Sequence, residues 1–149
     1  MSGNIRFSKE IKIVNSLRKY LITSNYHIIQ LVASGGQCSV SLTFTDFESE
    51  RRSTCYPDLI CVGEESIIIG EVKPRFSIGD RDKLLRIIRS PDAQYNIIRL
   101  VKLRFPNLKT NSVRYILVHG DLNSQPDSDI DQLIFPNDYD VISKPKSLS

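Results

Sequence analysis

The sequence has few of the residues that form disulfide frameworks or zinc sites. Its three cysteines, Cys38, Cys55 and Cys61, are odd in number and show no CxxC spacing. Its two histidines, His27 and His119, fit no zinc signature. Cys61 lies within an apolar run and is predicted to be a buried strand residue. These observations argue against a secreted disulfide-rich domain and against a structural zinc site.

The sequence also lacks long apolar runs and the motifs of two large enzyme classes. No apolar stretch approaches the length of a membrane span, and the N-terminus lacks the apolar segment of a secretory signal. We therefore expect a cytoplasmic protein without membrane contact. There is no glycine-rich phosphate loop and no GxSxG motif, so nucleotide hydrolysis and acyl transfer have little support.

The size and composition predict one domain with its own hydrophobic core. The chain has 149 residues, of which 40% are hydrophobic and 25% are charged. Within this domain we distinguish a core at residues 1–119 from an extension at residues 120–149, where Asp, Asn, Ser and Pro dominate. We expect this extension to be acidic and loosely attached, with its last residues, 144–149, frayed.

Two short apolar runs, at residues 56–62 and 66–73, are the most informative part of the sequence. Both are rich in β-branched residues, are bounded by Pro and Gly, and are too short for typical helices. They are therefore predicted to be two strands of a hairpin. Their apolar residues fall on both faces, which is typical of strands in a sheet that helices cover on each side.

The hairpin register predicts that two carboxylates face each other. A loop of two or four residues between the strands places Val62 opposite Ile67 and Asp58 opposite Glu71. Lys73 then lies on the same face as Glu71, because side chains alternate with a period of two. Opposed acids at the end of buried strands repel each other unless a positive charge lies between them. Mg²⁺ suits this position because it prefers hard oxygen ligands.

The order of these residues resembles that of the PD-(D/E)XK nuclease superfamily. Pro57-Asp58 is followed by twelve residues and then by Glu71-Val72-Lys73, on consecutive predicted strands. The resemblance implies a restriction-endonuclease-like fold over roughly residues 8–119. In that α/β fold, helices flank a central mixed sheet in three layers around an αβββαβ core.

The same resemblance implies a metal-dependent hydrolysis of phosphodiester bonds. Asp58, Glu71 and the Val72 carbonyl would hold one or two Mg²⁺ or Mn²⁺ ions, which neutralise phosphate charge and lower the pKa of bound water. Lys73 would position the attacking water or stabilise developing charge. His27 could join the metal site, as a histidine does in some related viral nucleases, but a lone His beside an apolar strand is more often structural.

The first predicted helix adds a third acid. We expect it to begin with Ser8 as its N-cap and to bury the stripe formed by Val14, Leu17 and Leu21. Glu10 lies one turn before Val14 and heads the same stripe. In the resembling superfamily a glutamate on the first helix often contacts the metal, which implies this role for Glu10. The alternative is a favourable interaction with the helix macrodipole.

Basic residues after the hairpin suggest a surface for a polyanion. Residues 1–104 contain 16 Lys and Arg against 11 Asp and Glu, and the excess is densest from Arg75 to Arg104. Lys83, Arg86 and Arg89 recur at every third position and share one helical face. Arg75 and these three are predicted to contact nucleic acid. Ordinary amphipathicity is the alternative explanation.

Periodicity predicts further strands and helices, with strands at residues 26–32, 39–47 and 113–119 and helices at residues 79–89 and 90–104. Residues 48–53 are expected to form a polar loop. Ser90 is the expected N-cap of the last helix, with Pro91 at its first position. A crossover through the helices would make residues 113–119 parallel to the strand of Glu71.

The expected partner is nucleic acid, with DNA favoured over RNA because most members of the resembling superfamily act on DNA. An endodeoxyribonuclease is therefore the leading prediction, and an RNA endonuclease stays open. A non-catalytic nucleic-acid-binding or assembly subunit with the same fold is the alternative from another class. A homodimer and a subunit of a larger nuclease complex are also compatible with the sequence.

Overall fold

The computed structural model describes residues 2–33, 37, 39–137 and 140–147, so that Cys38 lies outside the described residues. The described residues form three helices and eight strands: α1 (Ser2–Thr23), β1 (His27–Leu31), β2 (Leu42–Thr45), β3 (Arg52–Cys55), β4 (Leu59–Val62), β5 (Ile67–Val72), α2 (Ile78–Ile88), α3 (Ala93–Arg104), β6 (Val113–His119), β7 (Asp131–Ile134) and β8 (Ile142–Lys144). None of the helices in this part of the chain combines the length and apolar character needed to span a bilayer.

A mixed six-stranded sheet organises the fold, in the order β1-β4-β5-β6-β7-β8. Strands β1, β4 and β5 are antiparallel neighbours, β5, β6 and β7 run parallel, and β8 closes the edge antiparallel to β7. The prediction of an α/β protein with a mixed sheet is confirmed, as is the parallel crossover from β5 to β6. Strands β2 and β3 form a separate two-stranded ribbon.

Helices cover both faces of this sheet because alternate side chains of each strand point to opposite sides. On one face, α1 packs on the sheet through a cluster of buried residues that includes Ile13, Val14, Leu17, Leu21, Leu59, Cys61, Ile68 and Val72. On the other face, α2, α3 and the ribbon pack through a second cluster that includes Phe44, Ile60, Val62, Ile67, Ile69, Leu84, Ile87, Ile97 and Val101. The hairpin strands are therefore buried on both sides, as predicted.

Three local predictions differ from the structure. Helix α1 begins at Ser2, so Ser8 is an interior helical residue and not the N-cap. Helix α3 begins at Ala93 with Asp92 at the cap position; Ser90 Oγ accepts hydrogen bonds from the Asp92 and Ala93 backbone N–H groups at 3.4 and 3.2 Å. Pro91 therefore precedes the helix. The loop expected at residues 48–53 is shorter, because Arg52 already begins β3.

The expected loose attachment of residues 120–149 is wrong for the part that forms strands. All four residues of β7 are buried, and the strand pairs with β6 inside the sheet. His119, at the end of β6, contacts both the segment that follows β6 and strand β7. Its Nδ1 accepts from the Asp121 N–H at 2.9 Å, and its Nε2 lies 2.7 Å from Gln132 Oε1. Burial lowers the pKa of His119, which favours the neutral ring that these bonds require.

The expected fraying of residues 144–149 is wrong at Lys144. This residue ends β8, and its Nζ donates to the Ser124 carbonyl at 2.6 Å and to the Leu122 carbonyl at 3.0 Å. Residues 148–149 lie outside the described residues.

Gly70, directly before Glu71, allows β5 and β6 to approach closely. A Cβ at Gly70 would lie 2.8 Å from Ile116 Cγ2 and 3.0 Å from the Ile116 carbonyl oxygen. We expect Gly70→Ala to lower the free energy of unfolding by about 1–3 kcal/mol, because backbone cannot move aside as a side chain can. Urea denaturation measures the change.

The matched control for this substitution is Gly79→Ala in the first turn of α2. The nearest atom to a Cβ there is Ser77 Oγ at 3.8 Å, an ordinary contact distance. Alanine is the better helix former, so Gly79→Ala is expected to be neutral or to stabilise by up to about 1 kcal/mol. Equal effects of the two substitutions would contradict the close approach at Gly70.

Candidate active site

The hairpin brings Asp58 and Glu71 together at one end of β4 and β5. The predicted register is confirmed, with Val62 opposite Ile67 and Leu59 opposite Gly70. One step further, the Asp58 backbone N–H donates to Glu71 Oε2 at 3.1 Å. In return, the Val72 N–H donates to Asp58 Oδ2 at 3.0 Å. Each carboxylate is thus oriented by backbone of the opposite strand.

Glu71 is an acid in an environment that disfavours its charge. The residue is only 2% exposed. Burial, together with repulsion from the Asp58 carboxylate, raises the pKa of Glu71 to about 8, although nearby Lys83 acts in the opposite direction. A carboxyl group with this pKa gains from any cation that approaches it, and strongly perturbed carboxyl groups are concentrated at functional sites.

Lys83 supplies one such cation, in a place that the sequence analysis did not predict. Its Nζ forms an ion pair with Glu71 Oε1 and lies 3.5 Å from the Tyr56 carbonyl oxygen. Burial lowers the pKa of Lys83, but the interaction with Glu71 outweighs this effect, and the pKa lies above its ordinary value. We call Asp58 and Glu71 the carboxylate cluster. Lys83 lies beside this cluster, and its ammonium group is turned towards Glu71.

Asp80, one helical turn before Lys83, was also missed. Its Oδ2 is buried and accepts no hydrogen bond within the described residues. Burial raises the pKa of Asp80; Lys73 and Lys83 lower it, and Asp58 raises it. Asp80 is thus within electrostatic reach of Asp58 and of both lysines. The spacing of Ser77 and Asp80 indicates only a helix start: Ser77 caps α2 by accepting from the Asp80 N–H at 3.2 Å, which is half of a capping box.

Lys73 follows the last residue of β5 and remains attached to the sheet. Its backbone N–H donates to the Val118 carbonyl at 2.9 Å, which fixes the backbone directly after Glu71 and Val72. Its side chain is half-buried and has partners of its own, and its charge lowers the pKa of Asp80. The Lys73 charge therefore acts on Asp80, in the first turn of α2.

Glu10 and His27, the two less certain candidates for metal contact, lie in different surroundings. Glu10 is 3% exposed, and Ile13 and Val14 one turn later pack in the cluster that contains Val72. Its side chain therefore faces the sheet, as predicted, but within the described residues it is not grouped with Asp58 and Glu71 as a third metal ligand. His27 is exposed, pairs with Val62 at the opposite end of β4, and packs on Phe105 with ring centroids 5.6 Å apart. His27 is thus remote from Asp58.

The predicted nucleic-acid contacts are dispersed. Arg86 binds Asp46 through two hydrogen bonds of 2.9 and 3.3 Å, and its hydrogen bond is the largest cause that lowers the pKa of Asp46 to about 2. Arg89 is exposed at the C-cap of α2. Arg75 is exposed and lines a cleft beside α1. With Lys83 paired with Glu71, Lys83, Arg86 and Arg89 do not form one open basic face.

The donor set at this site fits Mg²⁺ or Mn²⁺ better than zinc. Among the described residues, no three His, Cys, Asp or Glu side chains are grouped so that they could hold a metal ion. Asp58 and Glu71 do present two carboxylates from opposed strands. Mg²⁺ is commonly bound by one or two carboxylates, with water and substrate phosphate completing the shell. The buried Glu71 carboxyl, with its raised pKa, is the observation that favours a cation there.

Comparisons of the chain with protein-family models, with curated proteins and with solved structures gave no match.

Proposed function

We propose that this protein is a divalent-metal-dependent nuclease that hydrolyses phosphodiester bonds, with DNA favoured over RNA as the substrate. The pairing of Asp58 with a buried Glu71 whose pKa is about 8 carries the proposal. A pair of acids selected only for stability would not be placed face to face inside a sheet.

The order of the elements supports the same proposal. Apart from the β2–β3 ribbon, the chain runs α1, β1, β4, β5, helices α2 and α3, and β6. The four strands are neighbours in that order, antiparallel up to β5 and parallel from β5 to β6. This agrees with the αβββαβ core of the PD-(D/E)XK superfamily. Asp58 directly precedes the second of these strands, β4, and Glu71 lies on the third, β5, which supports the assignment of the two acids by that resemblance.

In this proposal each residue has a defined role. Asp58, Glu71 and the Val72 carbonyl would hold one or two Mg²⁺ or Mn²⁺ ions. Glu10 on α1 is not grouped with the two acids in the described part of the chain, so it would contact the ion only through water. A bound ion supplies charge neutralisation at the phosphate and a water of lowered pKa. Lys73 orients the attacking water and stabilises charge that develops on the phosphate. The Asp58 and Val72 N–H groups keep the two carboxylates in position through their cross-strand bonds.

A second candidate, a nucleic-acid-binding subunit without turnover, is favoured by one observation. Lys83 already provides a positive charge at Glu71, and an acid whose charge is matched in this way needs no metal. In this alternative Lys83 and Glu71 form a structural ion pair that fastens α2 to β5.

A metal-dependence assay separates the two candidates. We expect the purified protein to cut in Mn²⁺ or Mg²⁺, and not in EDTA, when it is offered single-stranded, duplex and branched DNA and RNA. Salt-dependent binding without cleavage of any of these substrates would favour the non-catalytic subunit. Cleavage that appears only after a partner is added would indicate a subunit of a larger nuclease.

The two lysines near the carboxylate cluster are expected to differ in their effects on cleavage. Lys73→Met removes the amine that acts at the phosphate, and we expect the rate at saturating Mn²⁺ to fall by roughly 10²–10³-fold. Lys83→Met removes the cation that competes for Glu71. It is expected to lower the Mn²⁺ concentration needed for half-maximal cleavage and to change the saturated rate by less than about tenfold. Titration of Mn²⁺ in the cleavage assay measures both quantities. The reverse result would assign the catalytic amine to Lys83.

A further inference from the structure

The basic residues on α1 are placed differently from those on α2. Lys83 and Arg86 on α2 are turned towards Glu71 and Asp46. Lys9 and Lys12 on α1 are exposed, and within the part of the chain that the structure describes neither forms an ion pair. The positive charge of these two lysines on α1 can therefore reach an external polyanion.

These lysines share a cleft of about 480 Å³ with Arg75, which is also exposed. The cleft lies between α1 and the segments that follow β5, β6 and β7, and Pro74 and Gly120 form part of its lining. The Gly120 N–H donates to the Pro74 carbonyl at 3.0 Å, which joins the two segments. Pro74 directly follows Lys73, so this cleft lies at the end of β5 that carries Glu71. The cleft is on the α1 face of the sheet, whereas the Glu71 side chain pairs with Lys83 of α2 on the other face.

The cleft continues along α1 into a second cavity lined by Lys12, Ser16 and Lys19. Lys9 to Lys19 spans about 15 Å of helix at 1.5 Å per residue. At a rise of about 3.4 Å per nucleotide, that length matches roughly four phosphates of one strand.

We call the cleft and the second cavity together the groove. The groove contains acidic residues, but its basic residues outnumber them. Asp121 lines the first cavity, where its carboxylate accepts from the Phe76 N–H at 2.5 Å, and Asp140 lines the second. Four basic side chains, Lys9, Lys12, Lys19 and Arg75, therefore face two acidic ones. An anionic chain complements this arrangement, since each phosphate can meet a separate cation.

We infer that this groove, formed by α1 and the segments after β5, β6 and β7, binds the phosphodiester backbone of one nucleic-acid strand and leads it around the end of β5 to Asp58 and Glu71. The inference rests on the proposed nuclease function and adds the path of the substrate. It assigns phosphate contacts to Lys9, Lys12 and Lys19 together with Arg75. Arg86 is not assigned a phosphate contact, because its guanidinium already donates two hydrogen bonds to Asp46.

The test measures binding separately from cleavage. A fluorescein-labelled 12-nucleotide single-stranded DNA is titrated with protein in EDTA, where no cutting occurs, over a range of salt concentrations. The triple variant Lys9→Gln, Lys12→Gln, Arg75→Gln removes three groove cations. We expect its affinity at 0.1 M salt to fall on the order of 100-fold and the slope of log affinity against log salt to decrease by about 2.

The matched control removes three positive charges from residues outside the groove. Arg18→Gln, Arg99→Gln and Lys109→Gln change three exposed residues, of which Arg18 lies on the opposite flank of α1 from Lys9. This control is expected to weaken binding by less than about fivefold. Equal losses of affinity in the two triple variants, or no binding by the wild type, would contradict the inference that the groove binds nucleic acid. Metal-dependent cleavage by the wild type under either of those outcomes would leave the proposed nuclease function standing.

Discussion

Asp58→Asn is expected to reduce metal-dependent cleavage by at least roughly 10²–10³-fold while the protein stays folded. The asparagine oxygen can still accept the hydrogen bond that the Val72 N–H gives to Asp58 Oδ2. The substitution therefore removes the charge and keeps the cross-strand geometry. Loss of that charge also relieves the repulsion on Glu71, so the melting temperature without metal is expected to be unchanged or higher.

Asp82→Asn is the matched control for this substitution, since Asp82 is an exposed acid on α2 with 62% of its side chain accessible. It removes the same charge from the same region of the chain, and cleavage is expected to stay within about twofold of the wild type. A comparable loss of activity in both variants, or wild-type activity in Asp58→Asn, would show that Asp58 does not act in the reaction.

Glu71→Gln is expected to stabilise the metal-free protein increasingly as the pH rises. The pKa of Glu71 is about 8 in the folded chain against an ordinary value of 4.5, so the folded state binds the proton more tightly than the unfolded state. Stability conferred by this group is therefore present at low pH and is lost as the pH rises from about 4.5 to about 8. The slope for one proton is about 1.4 kcal/mol per pH unit.

Urea denaturation of wild type and Glu71→Gln in EDTA from pH 5 to pH 9 measures this effect. The difference between the two proteins removes the contribution of His119 and of other groups that do not contact Glu71; Lys83, which pairs with Glu71, does not cancel. We expect the advantage of the variant to grow by a few kcal/mol across this range, on the order set by the one-proton slope. A difference that does not change with pH would mean that Glu71 is not held in the folded state with a raised pKa.

The hairpin could be predicted from the sequence because its determinants are local. Alternation with a period of two and the short loop between Val62 and Ile67 fix the register, and that register places Asp58 opposite Glu71. Gly and Pro mark the strand ends. Residues that are neighbours within one hairpin need no knowledge of the rest of the fold.

The role of Lys83 could not be predicted in the same way, because it depends on how α2 packs across β5. Regular spacing assigned Lys83, Arg86 and Arg89 to one solvent face. In the structure, Glu71 and Asp46 lie against that face and pair with the first two. Helical periodicity identifies a face, but the partner of that face is set by tertiary structure.

The C-terminal strands were missed for a compositional reason. Strand β7 is only four residues long and follows a segment rich in Asp, Ser and Pro, so its apolar residues gave a weak signal. Its position is fixed by pairing with β6 and by the His119–Gln132 contact, both of which are non-local. Buried polar partners such as these cannot be read from hydrophobic patterning.

The most direct test of the whole account is to locate Mn²⁺ by anomalous diffraction in crystals of the wild type soaked in that ion. The account predicts an anomalous peak between the carboxylates of Asp58 and Glu71, with the Lys83 ammonium displaced from Glu71, and no such peak in Asp58→Asn. Crystals that retain the Lys83–Glu71 ion pair at saturating Mn²⁺, with no ion between the two acids, would contradict it.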